Sequence, residues 1–280
     1  MTASTIVPNT TPTRFKSGYT PEQAFQAWAD CGAGDPFFYH MDWDDFDESL
    51  NVTGMYTVSK GSTGTAALEA GDGGLGLLTT AATNADYVSL QRPIAAWTIP
   101  QGTLAGKKAF WAARLQLGDV TNSAFVAGLC DQTATLFTSI TDGIWFSKAS
   151  GGTQLVLNIA QGGTKYSFNV ATNTYALANA TNFDLAWYVD KYGNVQYSVG
   201  AQLFGYVPQS GVGAAGSPQY YPALPVLCPT GKLYSGNQPF TVASGYVLPT
   251  ANLALTLGVQ AGAAAAKTLT VDFMGAAKER

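Results

Sequence analysis

From about residue 37 onward the chain is written in short runs where apolar and polar side chains alternate, each run closed by Gly, Asn or Asp. A period of two sends successive side chains to opposite sides of an extended strand, so each run lines one apolar face and leaves the other to solvent. A helix, with its period of 3.6, does not use that pattern. Twelve runs carry it: residues 55–60, 75–80, 87–90, 108–116, 124–130, 143–148, 154–160, 165–170, 183–189, 195–199, 253–260 and 269–274. In the fourth, Trp111, Ala113, Leu115 and Leu117 are apolar while Arg114 and Gln116 are polar, which predicts one core face and one wet face. Between the ninth and tenth lies Asp190-Lys191-Tyr192-Gly193-Asn194, the chemistry of a tight hairpin connection. With no second helical block, the pattern predicts an all-β chain, a two-sheet antiparallel β-sandwich.

Two stretches fall outside it. Residues 1–19 hold Pro8, Pro12 and five threonines with no hydrophobic period, and predict an extended arm. Thr20-Pro21-Glu22-Gln23 then reads as a helix start, with Thr20 as N-cap, Pro21 in the first turn and Gln23 completing a capping box. Ala24, Phe25, Trp28 and Cys31 share one face of that short helix, and Gly32 and Gly34 stop it. That face either covers one end of the sandwich or docks on a partner through Phe25 and Trp28. The expected organisation is an arm and helix over 1–36, then a sandwich domain over 37–280 interrupted at about 205–249. The interruption holds seven of the chain's 13 prolines, so regular strands cannot dominate it. Its Tyr206, Tyr220, Tyr221 and Tyr234 make it too aromatic for a linker, and these four are expected to pack against a partner.

Charge narrows the function classes. Only 11% of the 280 residues are charged, against about 25% in an average globular chain. The 14 Lys and Arg against 18 Asp and Glu, net −4, supply no basic field for a polynucleotide, so no nucleic acid is expected as partner. No run approaches the roughly 18 uninterrupted apolar residues of a membrane-spanning helix, and no membrane partner is expected. The opening MTASTIVPNTTPTRFKSG lacks the basic start and apolar stretch of a secretory signal, which predicts synthesis in the cytoplasm. Cys31, Cys130 and Cys228 are odd in number and widely spaced, which predicts neither a disulfide framework nor a zinc site.

Few residues point to chemistry. The single histidine, His40, sits in Pro36-Phe37-Phe38-Tyr39-His40-Met41 and reads as structural, so a Ser-His-acid triad is not expected. Gly71-Asp72-Gly73-Gly74-Leu75-Gly76 precedes a strand and lacks the Lys-Ser/Thr of a phosphate loop; its glycines read as turn residues. Asp42-Trp43-Asp44-Asp45-Phe46-Asp47-Glu48 packs five carboxylates into seven positions. On a strand Asp42 and Asp44 share a face, and paired carboxylates serve glycoside hydrolysis. The spacing is similar to the E-x-D-x-x-E strand of β-jelly-roll glucanases, with aspartate wherever that pattern has glutamate. A calcium loop and a salt-bridging strand edge are the other readings of the cluster.

The order of landmarks carries a resemblance. An acidic-aromatic segment is followed by Asp72-Gly73-Gly74-Leu75-Gly76-Leu77-Leu78, by Gly106-Lys107-Lys108-Ala109-Phe110-Trp111-Ala112-Ala113-Arg114, by Asp142-Gly143-Ile144-Trp145-Phe146, by the 189–195 hairpin, and by a closing Ala266-Lys267-Thr268-Leu269-Thr270-Val271-Asp272-Phe273. Over about residues 40–204 and 250–280 the chain resembles tailed-phage capsid decoration (cement) proteins with a concanavalin/laminin-G-like jelly-roll domain. That resemblance implies a non-enzymatic virion structural protein on the capsid exterior, a homotrimer bound to the major capsid protein, with no cofactor and no catalytic or metal-binding residues. The alternative is a carbohydrate-binding, lectin-like module on a virion fibre or spike, with a glycan as partner and Trp43, Trp97, Tyr220 and Tyr221 as exposed aromatic contacts.

Overall fold

The computed structural model describes residues 39–46, 52–69, 74–99, 108–170, 177–189, 195–199, 202–207 and 248–279. The expected arm and helix, most of the 205–249 stretch, and Phe25, Trp28, Asp47, Tyr220, Tyr221 and Tyr234 lie outside the described residues.

The described residues are almost wholly strand. In chain order they form β1 (Tyr39–Asp44), a single helical turn α1 (Val52–Met55), β2 (Thr57–Lys60), β3 (Thr65–Glu69), β4 (Leu75–Thr79), β5 (Tyr87–Gln91), β6 (Ala109–Leu117) and β7 (Ser123–Cys130). There follow β8 (Gly143–Lys148), β9 (Leu155–Gln161), β10 (Thr164–Asn169), β11 (Asn182–Val189), β12 (Val195–Val199), β13 (Gln202–Val207), β14 (Ala254–Ala261) and β15 (Thr268–Glu279). Each of the twelve alternating runs contains or overlaps one strand, with edges displaced by a residue or two except at the last, where β15 continues five residues beyond the run to Glu279. Gly205–Val207, at the near edge of the proline-rich stretch, belong to β13, which pairs with β12.

Two sheets result, antiparallel throughout. The first runs β13-β12-β11-β6-β15-β4-β3, with β1 also paired to β15; the second runs β10-β9-β8-β7-β14-β5-β2. The twelve residues of β15 lie along β6 on one flank, while the other flank is shared by β4, opposite Thr268–Val271, and β1, opposite Met274–Glu279. Inward-facing positions of both sheets make one continuous core, in which Trp111 and Trp187 stack 6.4 Å apart beneath Phe146. Each large apolar side chain taken fully out of water there contributes roughly 1.5–3 kcal/mol.

The two outer faces differ. Over the second sheet the 131–142 connection folds back, and Leu136, Phe137 and Ile140 pack on Val126, Cys130, Trp145 and Ala160. That return needs Gly258, where a Cβ would stand 2.7 Å from Leu136. On the first sheet the expected wet face of β6 is only half wet. Arg114 and Gln116 reach solvent, whereas Phe110 and Ala112 are buried alongside them.

Candidate functional site

The outer face of the first sheet gathers a set of polar and aromatic side chains from four strands. Strand register decides which of them meet. Arg114 on β6 stands opposite Asp184 on β11 and, across the other flank, opposite Phe273 on β15. Its Nε donates to Asp184 Oδ1 at 2.7 Å and Nη2 to Oδ2 at 3.3 Å, a two-pronged pair; Nη1 donates to Asp272 Oδ2 at 3.5 Å. The guanidinium carbon lies 5.7 Å from the Phe273 ring centre. Such forked pairing fixes orientation as well as charge.

Phe273 faces outward because of a register shift between Val271 and Phe273. Strict alternation from Leu269 and Val271 would have sent its ring into the core; after the bulge Met274 and Ala276 point inward instead. Bulges commonly re-aim a side chain in this way. Trp43, on β1 opposite Gly275, then stacks on Phe273 at 5.2 Å with 19° between the rings. A Cβ on residue 275 would run into the Trp43 ring, so glycine is required beneath it. Beside Arg114, Gln116 Nε2 donates to Asn182 Oδ1 at 3.2 Å and to the Ala180 carbonyl at 3.1 Å.

The arrangement sets a partly exposed Trp43 and a buried Phe273 next to carboxylate and amide groups held in fixed orientation. A carboxylate has about four acceptor sites, and Arg114 takes two of those on Asp184. The remainder suit a ligand rich in hydroxyl donors whose apolar side lies on an aromatic ring.

The acidic cluster of the sequence does something else. Asp44 is buried, its Oδ1 accepting from the Phe46 amide at 2.9 Å and its Oδ2 from the Tyr56 hydroxyl at 2.8 Å. Arg92 Nη2 lies 2.9 Å from Asp42 Oδ1 and 3.7 Å from Asp44 Oδ2, over the Tyr56 ring. Burial, reinforced by Asp44, pushes the Tyr56 phenol far above its ordinary value. Asp42 and Asp44 do share a face, as the strand reading expects, but they clasp the two sheets together rather than face a substrate. Of the three readings of the cluster, the salt-bridging strand edge is the one these contacts support.

Other sequence candidates separate. Trp97 is 1% exposed, bridged to Leu253 and 5.0 Å from His40, so its expected role as an exposed aromatic is corrected to a core one. Trp43 does lie on an outer face. Tyr206 is on β13, opposite Gln196. Cys130 is buried on β7, its thiol pushed up by desolvation. Arg114, Asp184 and Asp272 were not singled out by sequence. Each is a charged residue at an outward position of an alternating strand, but only the order β11-β6-β15 brings them together.

No family model matches the chain, and no curated protein matches it. Among solved structures it is similar to the carbohydrate recognition domain of Emp47p, with a TM-score of 0.50 and 10% identity, covering 86% of this chain and 97% of that one. The fold is a concanavalin-like jelly roll. The chain is also similar to an endo-β-1,4-glucuronan lyase from the fungus Trichoderma reesei, with a TM-score of 0.46, 9% identity and 84% and 94% of the two chains covered. A third is a prokaryotic β-1,3-1,4-glucanase (lichenase) derived from a mouse hindgut metagenome, with a TM-score of 0.45, 10% identity and 84% and 97% covered. At these identities the likeness shows the fold alone. The expectation of a chain without enzymatic activity is corrected: a glucuronan lyase and a lichenase are among the structures it is similar to. None of the three is a capsid decoration protein, and the expected capsid role gains no support from them.

Proposed function

We propose that this jelly roll is a carbohydrate-recognition module whose ligand lies on the outer face of the first sheet, across β1, β15, β6 and β11. The observation that carries the reading is the Trp43–Phe273 stack beside the Asp184–Arg114–Asp272 set. A pyranose has an apolar face of C–H groups and a rim of hydroxyls; the rim donates to Asp184 and the C–H face lies toward the Trp43–Phe273 stack. Because Arg114 holds Asp184 in place before the ligand arrives, little side-chain ordering is lost on binding. The carbohydrate recognition named for the Emp47p domain agrees with this reading. A virion fibre or spike is the setting that the carbohydrate-binding alternative of the sequence reading gave it. Display there in several copies would turn modest single-site affinity into avidity.

A glycan array probed with the full chain tests the reading. Saturable, selective hits that disappear in Trp43→Ala support it. An array without saturable hits, or hits unchanged by Trp43→Ala, overturns it. Mass spectrometry of the bound glycans after incubation separates holding from cutting: shortened chains would assign catalysis to this face.

A further inference from the structure

The end of the sandwich at which β6 finishes and β7 begins holds an amine in its interior. Ile144 and Phe146 of β8 point into the core, and the period of two sends Lys148 the same way, opposite Phe125 on β7 and Leu155 on β9. Only 2% of it is exposed. Its Nζ donates to the Ser123 carbonyl at 2.6 Å and to the Ala149 carbonyl at 2.9 Å, joining the start of β7 to the exit of β8. A neutral amine donates two hydrogen bonds and an ammonium three. Two are made here, and the buried Ser123 hydroxyl has no partner. Among the described residues, β7, β8 and β9 carry no other charged side chain. The 118–122 connection brings Asp119, and the stretch before β15 brings Lys267. These two bond to each other, Nζ to Oδ2 at 2.6 Å, while Asp119 also accepts from the Asn122 amide and side chain. Lys148 is thus a buried amine held by carbonyl dipoles, without a carboxylate of its own.

We infer that Lys148 is a proton-operated latch on this end of the sandwich: the connections there part more readily when its amine is protonated and hold more tightly when it is not. The latch belongs to the interior of the second sheet and stands whether or not the first binds a glycan. Three connections meet at it. The Gly151 amide donates to the Thr121 carbonyl at 2.8 Å and the Gly262 amide to the Asn122 carbonyl at 2.8 Å, so 149–154, 118–122 and 262–267 are bonded together. Ser150 lies so close over Gly262 that a Cβ there would collide with it. Parting these connections returns Nζ to water. In the closed end, burial holds the amine down to about 8 from its ordinary 10.5, against a smaller upward pull from Asp119. In the open end the ordinary value applies. Between the two values the open form carries a proton that the closed form lacks, so rising pH favours closure. A lysine in a surface ion pair behaves the other way, since losing its charge loosens what it holds.

The test is hydrogen exchange at the Gly151 and Gly262 amides of the full chain between pH 7 and pH 9, with the intrinsic exchange rate at each pH divided out. The opening constant read from both amides should fall about tenfold across that range. In Lys148→Met, which keeps an apolar stem and removes the charge, it should not change with pH. A constant that stays flat or rises in the parent chain overturns the inference. A tenfold fall that survives in Lys148→Met overturns the assignment to this residue. Where that variant does not fold, the carbon-13 shift of the Lys148 Cε in the parent chain decides: a titration midpoint near 8 supports the latch, and one near 10.5 overturns it.

Discussion

Two arginines in this molecule are surrounded by the same ingredients, two aspartates and one aromatic ring, and they do opposite things. Arg92 follows β5 in the second sheet and reaches Asp42 and Asp44 of β1 in the first, over Tyr56 at 4.6 Å. Arg114 lies within the first sheet and reaches Asp184 and Asp272 on the strands to either side, over Phe273 at 5.7 Å. The difference lies in who else addresses the carboxylates. Both oxygens of Asp44 are taken by protein donors, the Phe46 amide and the Tyr56 hydroxyl. Among the described residues Asp184 accepts from its arginine alone and keeps acceptor capacity. A carboxylate closed by internal donors holds the fold; acceptor capacity left on Asp184 is what the proposed carbohydrate site draws on.

The largest effect that sharpens this contrast is Asp44→Ala. It leaves the buried Tyr56 hydroxyl and the Phe46 amide without their acceptor, while Asp42 keeps Arg92 paired, and should cost about 2–6 kcal/mol in urea unfolding, about 1–3 for each buried donor left unpaired. Arg114→Met, with the side chains of its pair 15% and 16% exposed, should cost roughly 1–2 kcal/mol, between the exposed and buried cases. Equal losses would erase the distinction between the two clusters.

Gly275→Val is the next largest. A side chain there collides with Trp43, and overpacking of this kind costs about 1–3 kcal/mol. The ring must leave Phe273, so glycan binding should fall with it and the tryptophan emission should shift toward that of an exposed indole. An unshifted spectrum with binding intact would mean the aromatic stack plays no part in the proposed binding.

Much of the sandwich was legible as alternation because a half-buried strand has no other way to satisfy both its faces. β3 escaped, since Thr65-Ala66-Ala67-Leu68-Glu69 carries little apolar contrast and stays largely exposed. β13 escaped because its Gln202–Val207 runs into the proline-rich stretch. The proposed binding face was legible in pieces only. Arg114 and Asp184 are outward charges on separate strands 70 residues apart, and nothing local says that β11 and β15 flank β6. Phe273 was hidden further by the bulge, which reverses the facing that its alternating run implies. The clustered carboxylates drew attention for the wrong reason: Asp42 and Asp44 crowd together because one arginine serves both, and Trp97 was taken inward by its bridge to Leu253.

The smallest effect distinguishes the clusters by pH. Burial and Asp44 raise the Tyr56 phenol above its ordinary value of 10.0, while the unfolded chain leaves it there. An acid whose folded value is raised stabilises fully below the unfolded value. Above pH 10 the unfolded state sheds its proton first, and stability falls by about 1.4 kcal/mol per pH unit for this one group. Tyr56→Phe removes the hydroxyl and should cost about 1 kcal/mol at neutral pH, the worth of its bond to Asp44. It should also flatten the alkaline limb of urea-unfolding stability between pH 10 and 11, leaving the weaker slope that Tyr197 contributes through its own buried phenol. Arg114→Met removes no phenol and should leave that limb as steep as in the parent chain. If Tyr56→Phe keeps the full slope, the phenol is open to water and the Arg92 clasp is no more closed than the face around Arg114.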